Sequence, residues 1–171
     1  MPTNIEIKAR VPDPQALQAR AEALSQAPPE IIEQEDTFFN IPSGRLKLRW
    51  LSPSLGQLIY YTRQDAAGPK PSHYVLSVTP DPASLQQVLS EALGVRGVVR
   101  KRRRLYMVGH TRVHLDEVQG LGSFMELEVV LQPGQTPAEG EQIAAQLMQQ
   151  LGIRPEDLVQ AAYIDLLEQA A

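Results

Sequence analysis

The sequence predicts an α+β fold: a closed eight-stranded antiparallel β-barrel, a tunnel with a polar, charged interior and helices packed outside. Three observations lead there. Eight segments alternate polar and apolar side chains with the period of a strand. Four others carry helix caps and terminators. Along several strands the polar face is densely charged at every second position.

The first strand, 4–10 (NIEIKAR), sets Asn4, Glu6, Lys8 and Arg10 opposite Ile5, Ile7 and Ala9. A helix over 13–26 follows, with Asp13 as cap and Pro14 at the first helical position. Strands over 34–39, 45–50, 57–63 and 73–79 come next. RLKLRW at 45–50 sets Lys47 and Arg49 against Leu46, Leu48 and Trp50, and Arg63 shares a face with Tyr61 and Ile59. Of Tyr60 and Tyr61, one is expected to pack and one is left open as a contact to a base or sugar. Asp81 and Pro82 open a second helix over 81–94 that Gly94 ends.

Strand 98–106 splits the run RKRRR, with Lys101 and Arg103 on one side and Arg100, Arg102 and Arg104 on the other. Strand 111–118 groups Arg112, His114 and Asp116, and strand 124–131 sets Glu126 and Glu128 against Met125, Leu127 and Val129. His114 reads at least as well as a hydrogen-bonded structural histidine as it does as a general base. The third helix, 136–152, has a capping box from Thr136 to Glu139 and ends at Gly152. A fourth helix over 154–169 closes the chain, with Tyr163 as a packing residue.

On any single strand, the plainer arrangement is a sheet packed on helices with its charges in water. Solvated faces usually mix in Ser, Thr, Gln and Asn, however, and eight antiparallel strands can close and so remove their edges. The closed form turns the charged face inward. Its cations would be Lys8, Arg10, Lys47, Arg49, Arg63, Lys101, Arg103 and Arg112, and its acids Glu6, Asp116, Glu126 and Glu128. So many like charges in one interior call for a polyanion, with a hard divalent cation on the carboxylates.

Composition agrees. The 171 residues suit one domain over 1–171, and no apolar run is long enough to span a membrane. The charged N-terminal stretch does not read as a signal peptide, so a cytoplasmic protein is expected. With no cysteine, disulfides, thiolate metal sites and a cysteine nucleophile are excluded. The net charge is −4, yet twelve of the sixteen Lys and Arg lie between Arg45 and Arg112 with only three acids among them. That balance favours an anionic ligand. Sequence-specific DNA binding is disfavoured, because no reading helix or metal finger accompanies the RKRRR run.

The stretch NIEIKAR resembles the ExExK signature of the CYTH superfamily, the triphosphate tunnel metalloenzymes. The similarity continues in order through QEDTFFNIP, GRLKLRW, VVRKRRRLY, HLDEVQGLGSFMELEVV and AYIDLL. It is nearest to class IV adenylyl cyclase-like bacterial proteins, and extends to thiamine triphosphatases and inorganic triphosphatases. The resemblance implies a triphosphate substrate and Mg²⁺ or Mn²⁺. It implies that Glu6, Glu126 and Glu128 hold metal and that Lys8, Lys47, Arg49, Arg63, Lys101 and Arg103 grip phosphates. Arg10, Arg112 and the turn residue Lys70 are added to the phosphate set, and Lys8, Arg49, Lys101, Arg103 and Asp116 to the catalytic one. Asn4 stands where the signature has its first Glu, which weakens one metal position. Two functions are weighed: a metal-dependent cyclase or triphosphatase, and a module that binds polyphosphate or nucleotide without turnover. A homodimer is left open.

Overall fold

In the computed structural model, which describes residues 3–171, the interior of the molecule is set by strand pairing. The strands are β1 (Thr3–Arg10), β2 (Glu30–Phe39), β3 (Arg45–Ser52), β4 (Leu55–Arg63), β5 (Lys70–Thr79), β6 (Val95–Val108), β7 (Thr111–Val118) and β8 (Gly122–Val130). They form a closed antiparallel barrel in the order β1-β5-β4-β3-β2-β6-β7-β8. β1 makes the closure, pairing with β5 over Thr3–Glu6 and with β8 over Asn4–Arg10. All eight expected strands are present, several longer than the alternation alone marked.

Closure puts the apolar face outward, where the helices cover it. α1 (Pro14–Ser25) and α3 (Pro137–Leu151) pack on β1, β6, β7 and β8, burying Ile7, Ala9, Leu17, Val113, Leu127 and Leu147. Each large aliphatic side chain buried this way is worth about 1.5–3 kcal/mol. α2 (Pro82–Leu93) covers β2, β3 and β4, where Trp50 donates from its indole to Gln86. The caps are those read from the sequence: Asp13 accepts from the Ala16 N–H, Asp81 from that of Ser84, and Thr136 and Glu139 form the capping box. α3 lies so close to β1 that a Cβ on Gly140 would meet Ile5 and Leu131 at 2.6 Å. On the outer face of β6, Arg100 and Arg102 are exposed and paired with Glu35 and Glu33 of β2.

The expected fourth helix does not run from 154 to 169. Its start is a single 3-10 turn (Pro155–Asp157), residues 158–162 are not helical, and α4 spans Tyr163–Ala170. The cause is tertiary. Beyond Glu6, β1 has lost β5 as a neighbour, and the chain returns to satisfy that edge. Leu158 bridges to Ala9 and the Val159 N–H donates to the Lys8 carbonyl at 2.9 Å. An unmade backbone hydrogen bond at a buried edge costs more than a turn of helix returns. No helix among the described residues is long and apolar enough to cross a membrane.

Candidate functional site

The barrel encloses a cavity of about 350 Å³, within the range of small-molecule sites. Among the described residues, seven basic and four acidic side chains border it. β1 supplies Asn4, Glu6 and Lys8; β8, paired directly to it, supplies Glu128 opposite Glu6 and Glu126 opposite Lys8. Lys101 and Arg103 come from β6, Lys47 and Arg49 from β3, Arg63 from β4 and Arg112 from β7. The charges of RLKLRW therefore point into the barrel, and Leu48 is fully buried on the outer side.

Many of these charges are already paired. Arg103 is clamped by Asp116 through Nε and Nη2 at 2.7 and 2.8 Å, and its Nη2 also reaches Glu126 at 3.2 Å. Lys8 Nζ lies 3.2 Å from Glu126. Arg49 is held in the same bidentate way by Asp36, which Lys47 approaches at 3.3 Å. Arg63 is only partly paired. Its Nη1 is 3.6 Å from Glu6, while Nε and Nη2 are buried with no hydrogen-bond partner among the described residues. Buried donors so placed are a demand for an acceptor.

Three expected site residues stand elsewhere. Arg10 has the inward parity, but β1 leaves the barrel there, so its side chain is exposed over the Phe124 ring. Lys70 is buried without bordering the cavity, its Nζ donating to the carbonyls of Ala66 at 2.6 Å and Gln160 at 3.2 Å. Asp116 lies behind Arg103, bonded to it and to Tyr163, and so positions that arginine without bordering the cavity. His114 is buried behind Glu126 at 3.9 Å, too far for a hydrogen bond. Arg112 does border the cavity, with half its side chain exposed and Nη1 3.6 Å from Glu128.

Two residues of the site were not read from the sequence. Asp36 sits directly opposite Arg49 in the β2–β3 register, which its inward parity and the QEDTFF motif could have indicated. Tyr163, expected to be packing only, borders the cavity. Its hydroxyl donates to Asp116 at 2.8 Å, and Lys8 Nζ lies 3.7 Å from its ring centroid. No strand pattern could have found it, because it comes from the helix after the barrel.

Electrostatics mark the cavity as poised for an ionic ligand. Burial, reinforced by Glu126 and Glu128, raises the Glu6 pKa to about 7. Burial and then Arg103 lower Lys101 to about 7, and burial and then Arg49 lower Lys47 to about 8. Burial opposes ionisation of Asp36 too, but Lys47 and Arg49 prevail and hold it far below the usual carboxylate range.

Fitness for a divalent cation can be judged from the donors. Glu6, Glu126 and Glu128 offer hard oxygen ligands, and Asn4 Oδ1 is buried without a hydrogen-bond partner among the described residues. A cation beside Glu6 would offset both the burial and the Glu126 and Glu128 charges that raise its pKa. Here the carboxylates turn toward Lys8, Arg63, Arg112 and Asn4 Nδ2, and among the described residues no three acids or histidines converge as a finished metal site. The donor set fits chemically, with side-chain rotation needed to gather it.

Comparison with known proteins places this arrangement. Residues 2–163 match the CYTH domain family. Adenylate cyclase CyaB of Aeromonas hydrophila is 27% identical over 179 residues, spanning 97% of this chain and 89% of that protein. The PH1012 protein of Pyrococcus horikoshii shares the fold with a TM-score of 0.84 and 27% identity, over 95% of this chain and 98% of that one. HpAC1 of Hippeastrum, for which a dominant triphosphatase activity is described, gives a TM-score of 0.66. It is 21% identical over 97% of this chain and 95% of its own, a likeness of fold. A charged eight-stranded barrel and a family match over nearly the whole length lead to one conclusion: this chain belongs to the CYTH domain family.

Proposed function

We propose that this protein binds a triphosphate inside the barrel and acts on it as a divalent-metal-dependent enzyme, either a triphosphatase or an adenylyl cyclase. The observation that carries the reading is Arg63, whose Nε and Nη2 are buried and unpartnered among the described residues in a cavity where cations outnumber acids. A polyanion supplies the missing acceptors and neutralises the surplus.

The roles of the side chains follow from their places. Arg63, Lys47 and Lys101 bind phosphate oxygens and neutralise charge that develops on them. Arg49 and Arg103, each fixed by its own aspartate, present guanidinium groups that need no reorganisation on binding. Glu6, Glu126, Glu128 and Asn4 would hold Mg²⁺ or Mn²⁺, which when bound supplies Lewis-acid polarisation of phosphate oxygens. Two reactions suit this machinery. Water attacking the terminal phosphorus releases orthophosphate. A ribose 3′-hydroxyl attacking the α-phosphorus forms the cyclic ester and breaks the bond to the β-phosphate, releasing pyrophosphate.

Asn4 at the first signature position favours a second reading, a module that binds triphosphate without turnover. One assay separates these readings. ATP, thiamine triphosphate and tripolyphosphate are each offered with Mg²⁺ and with Mn²⁺, and orthophosphate, pyrophosphate and cyclic AMP are resolved. Orthophosphate identifies a triphosphatase, and cyclic AMP with pyrophosphate a cyclase. No product, with binding intact, gives the module. Glu128→Gln then checks the metal assignment: turnover should be lost with binding largely retained, and normal turnover would remove Glu128 from the metal set.

A further inference from the structure

His114 of β7 stands directly across the ladder from Glu126 of β8. It has the inward parity of Arg112 and Asp116, yet it does not border the cavity. A group set back in this way cannot take a proton from a molecule bound there, which removes the general base. The residue is 3% exposed, and its Nδ1 is buried with no hydrogen-bond partner among the described residues. A buried ring nitrogen without a partner burdens the folded state, and an apolar side chain at that place would not. The fold alone therefore gives no reason for an imidazole here.

The atom it faces supplies one. Nδ1 lies 3.9 Å from Glu126 Oε2, beyond hydrogen-bond reach but near enough for a small turn of the carboxylate to close the gap. Glu126 divides its oxygens between two cations: Oε2 accepts from Arg103 Nη2 at 3.2 Å, and Oε1 lies 3.2 Å from Lys8 Nζ. A divalent ion at Oε1 repels the Lys8 ammonium, and Glu126 then loses one of the two groups that fix its rotamer. An imidazole N–H can replace that restraint from the Oε2 side, because it is a donor that need carry no charge of its own.

We propose that His114 is a positioning residue for the divalent-metal set, its Nδ1–H donating to Glu126 Oε2 when that carboxylate turns to an ion. This rests on the metal assignment above and adds to it the residue that orients Glu126. The carboxylate opposite Nδ1 favours the tautomer that carries its proton there. The imidazole is then a group kept for the loaded site, satisfied only when Glu126 moves.

The test is Mn²⁺ binding to the full chain without nucleotide or polyphosphate, read from loss of the free-ion electron paramagnetic resonance signal. Thermal unfolding of the metal-free protein accompanies it. His114→Leu removes the donor and should weaken Mn²⁺ by about tenfold, the usual scale for a hydrogen bond to a ligating group. Its metal-free melting temperature should stay level or rise, because no unpaired polar atom remains. His114→Asn sets an amide donor near the place of Nδ1 and should bind Mn²⁺ within about threefold of the unaltered protein. A merely structural histidine gives the opposite pattern, a lower melting temperature in His114→Leu with Mn²⁺ affinity unchanged, and that result would overturn the role. So would a loss of affinity that His114→Asn does not restore. Independently of any variant, the His114 Nδ1–H proton resonance should move downfield on adding Mg²⁺, as its bond to the carboxylate forms. A resonance unmoved at saturating Mg²⁺ overturns the role without a substitution. Failure of the unaltered protein to bind Mn²⁺ at all is a different result: it removes the metal assignment itself, and this inference with it.

Discussion

Arg49 donates through Nε and Nη2 to the two carboxylate oxygens of Asp36, both at 2.8 Å, from the position directly across the β2–β3 ladder. The pair lies on the inner face of the barrel, with Asp36 buried and Arg49 partly so. An acid is thus committed to orienting a cation inside a cavity already rich in cations. Arg103 and Asp116 repeat the device across the β6–β7 ladder. Two guanidinium groups are therefore fixed by protein carboxylates, while Arg63 is left to meet a ligand.

Removing the carboxylate charge of Asp36 should expose that dependence. Breaking a buried pair by deleting one partner costs about 3–5 kcal/mol. Asp36→Asn should unfold at clearly lower temperature, because Arg49 and Lys47 are left beside each other unneutralised. Tripolyphosphate should restore more of the melting temperature in the variant than it adds to the unaltered protein, since it supplies the missing negative charge. Thermal unfolding with and without the anion measures both effects. An unchanged melting temperature would mean the pair contributes nothing net.

How much of this was legible in the sequence depended on where the signal was periodic. The eight strands and their inward cations could be read because a half-charged, half-apolar strand alternates at period two, and closure merely decides which half is inside. Asp36 was lost in a segment whose inward face mixes acid and aromatic, Gln34, Asp36 and Phe38, so it did not stand out as charged. Arg10 carries the correct parity, but parity cannot tell where a strand leaves the barrel. Lys70 lies where β5 begins, and its Nζ is held by the carbonyls of Ala66 in the preceding turn and of the distant Gln160, neither of which strand alternation encodes. Tyr163 and the non-helical 158–162 segment depend on the unpaired edge of β1, a contact across the whole chain.

The lysines of the cavity should make binding depend on pH. Lys101, ordinarily near 10.5, is lowered to about 7, and Lys47 to about 8. Between those values and 10.5 the unfolded chain binds more protons than the folded one, so these two groups make stability rise with pH across that window. A bound polyanion favours the charged ammonium and raises both values again. Tripolyphosphate binding at about pH 8 should therefore take up protons, and affinity should fall as pH rises further. Titration in buffers of different ionisation enthalpy counts the protons. Comparison with Lys101→Met removes the ligand's own titration, and an identical count in that variant would exclude Lys101 as the acceptor.

Tyr163 ties the closing segment to the site through one hydroxyl. A hydrogen bond to a charged group is worth about 1.5–3 kcal/mol, and Tyr163→Phe deletes it while keeping the ring beneath Lys8. For a chain of this length each kcal/mol shifts the melting temperature by about 2–4 °C. The variant should melt several degrees lower, yet bind tripolyphosphate within about threefold, since the hydroxyl is committed to Asp116. A large loss of affinity with no loss of stability would show that the hydroxyl contacts the ligand.

Asn4 offers the most direct test of the metal set. Its Nδ2 donates to Glu128 at 3.1 Å, and its Oδ1 is buried without a partner among the described residues. Asn4→Glu exchanges that donor for a fourth carboxylate beside Glu6, Glu126 and Glu128. Without metal the exchange should destabilise the fold by about 1–3 kcal/mol, from the lost hydrogen bond and the added like charge. With Mn²⁺ the sign reverses, because a fourth anionic oxygen strengthens a hard-cation site and a ligand that binds only the folded state stabilises it. The increase in melting temperature on adding Mn²⁺ should therefore be larger in Asn4→Glu than in the unaltered protein, with or without any turnover. If Mn²⁺ shifts the two proteins equally, position 4 lies outside the metal set, and Glu6, Glu126 and Glu128 would have to hold the ion without it.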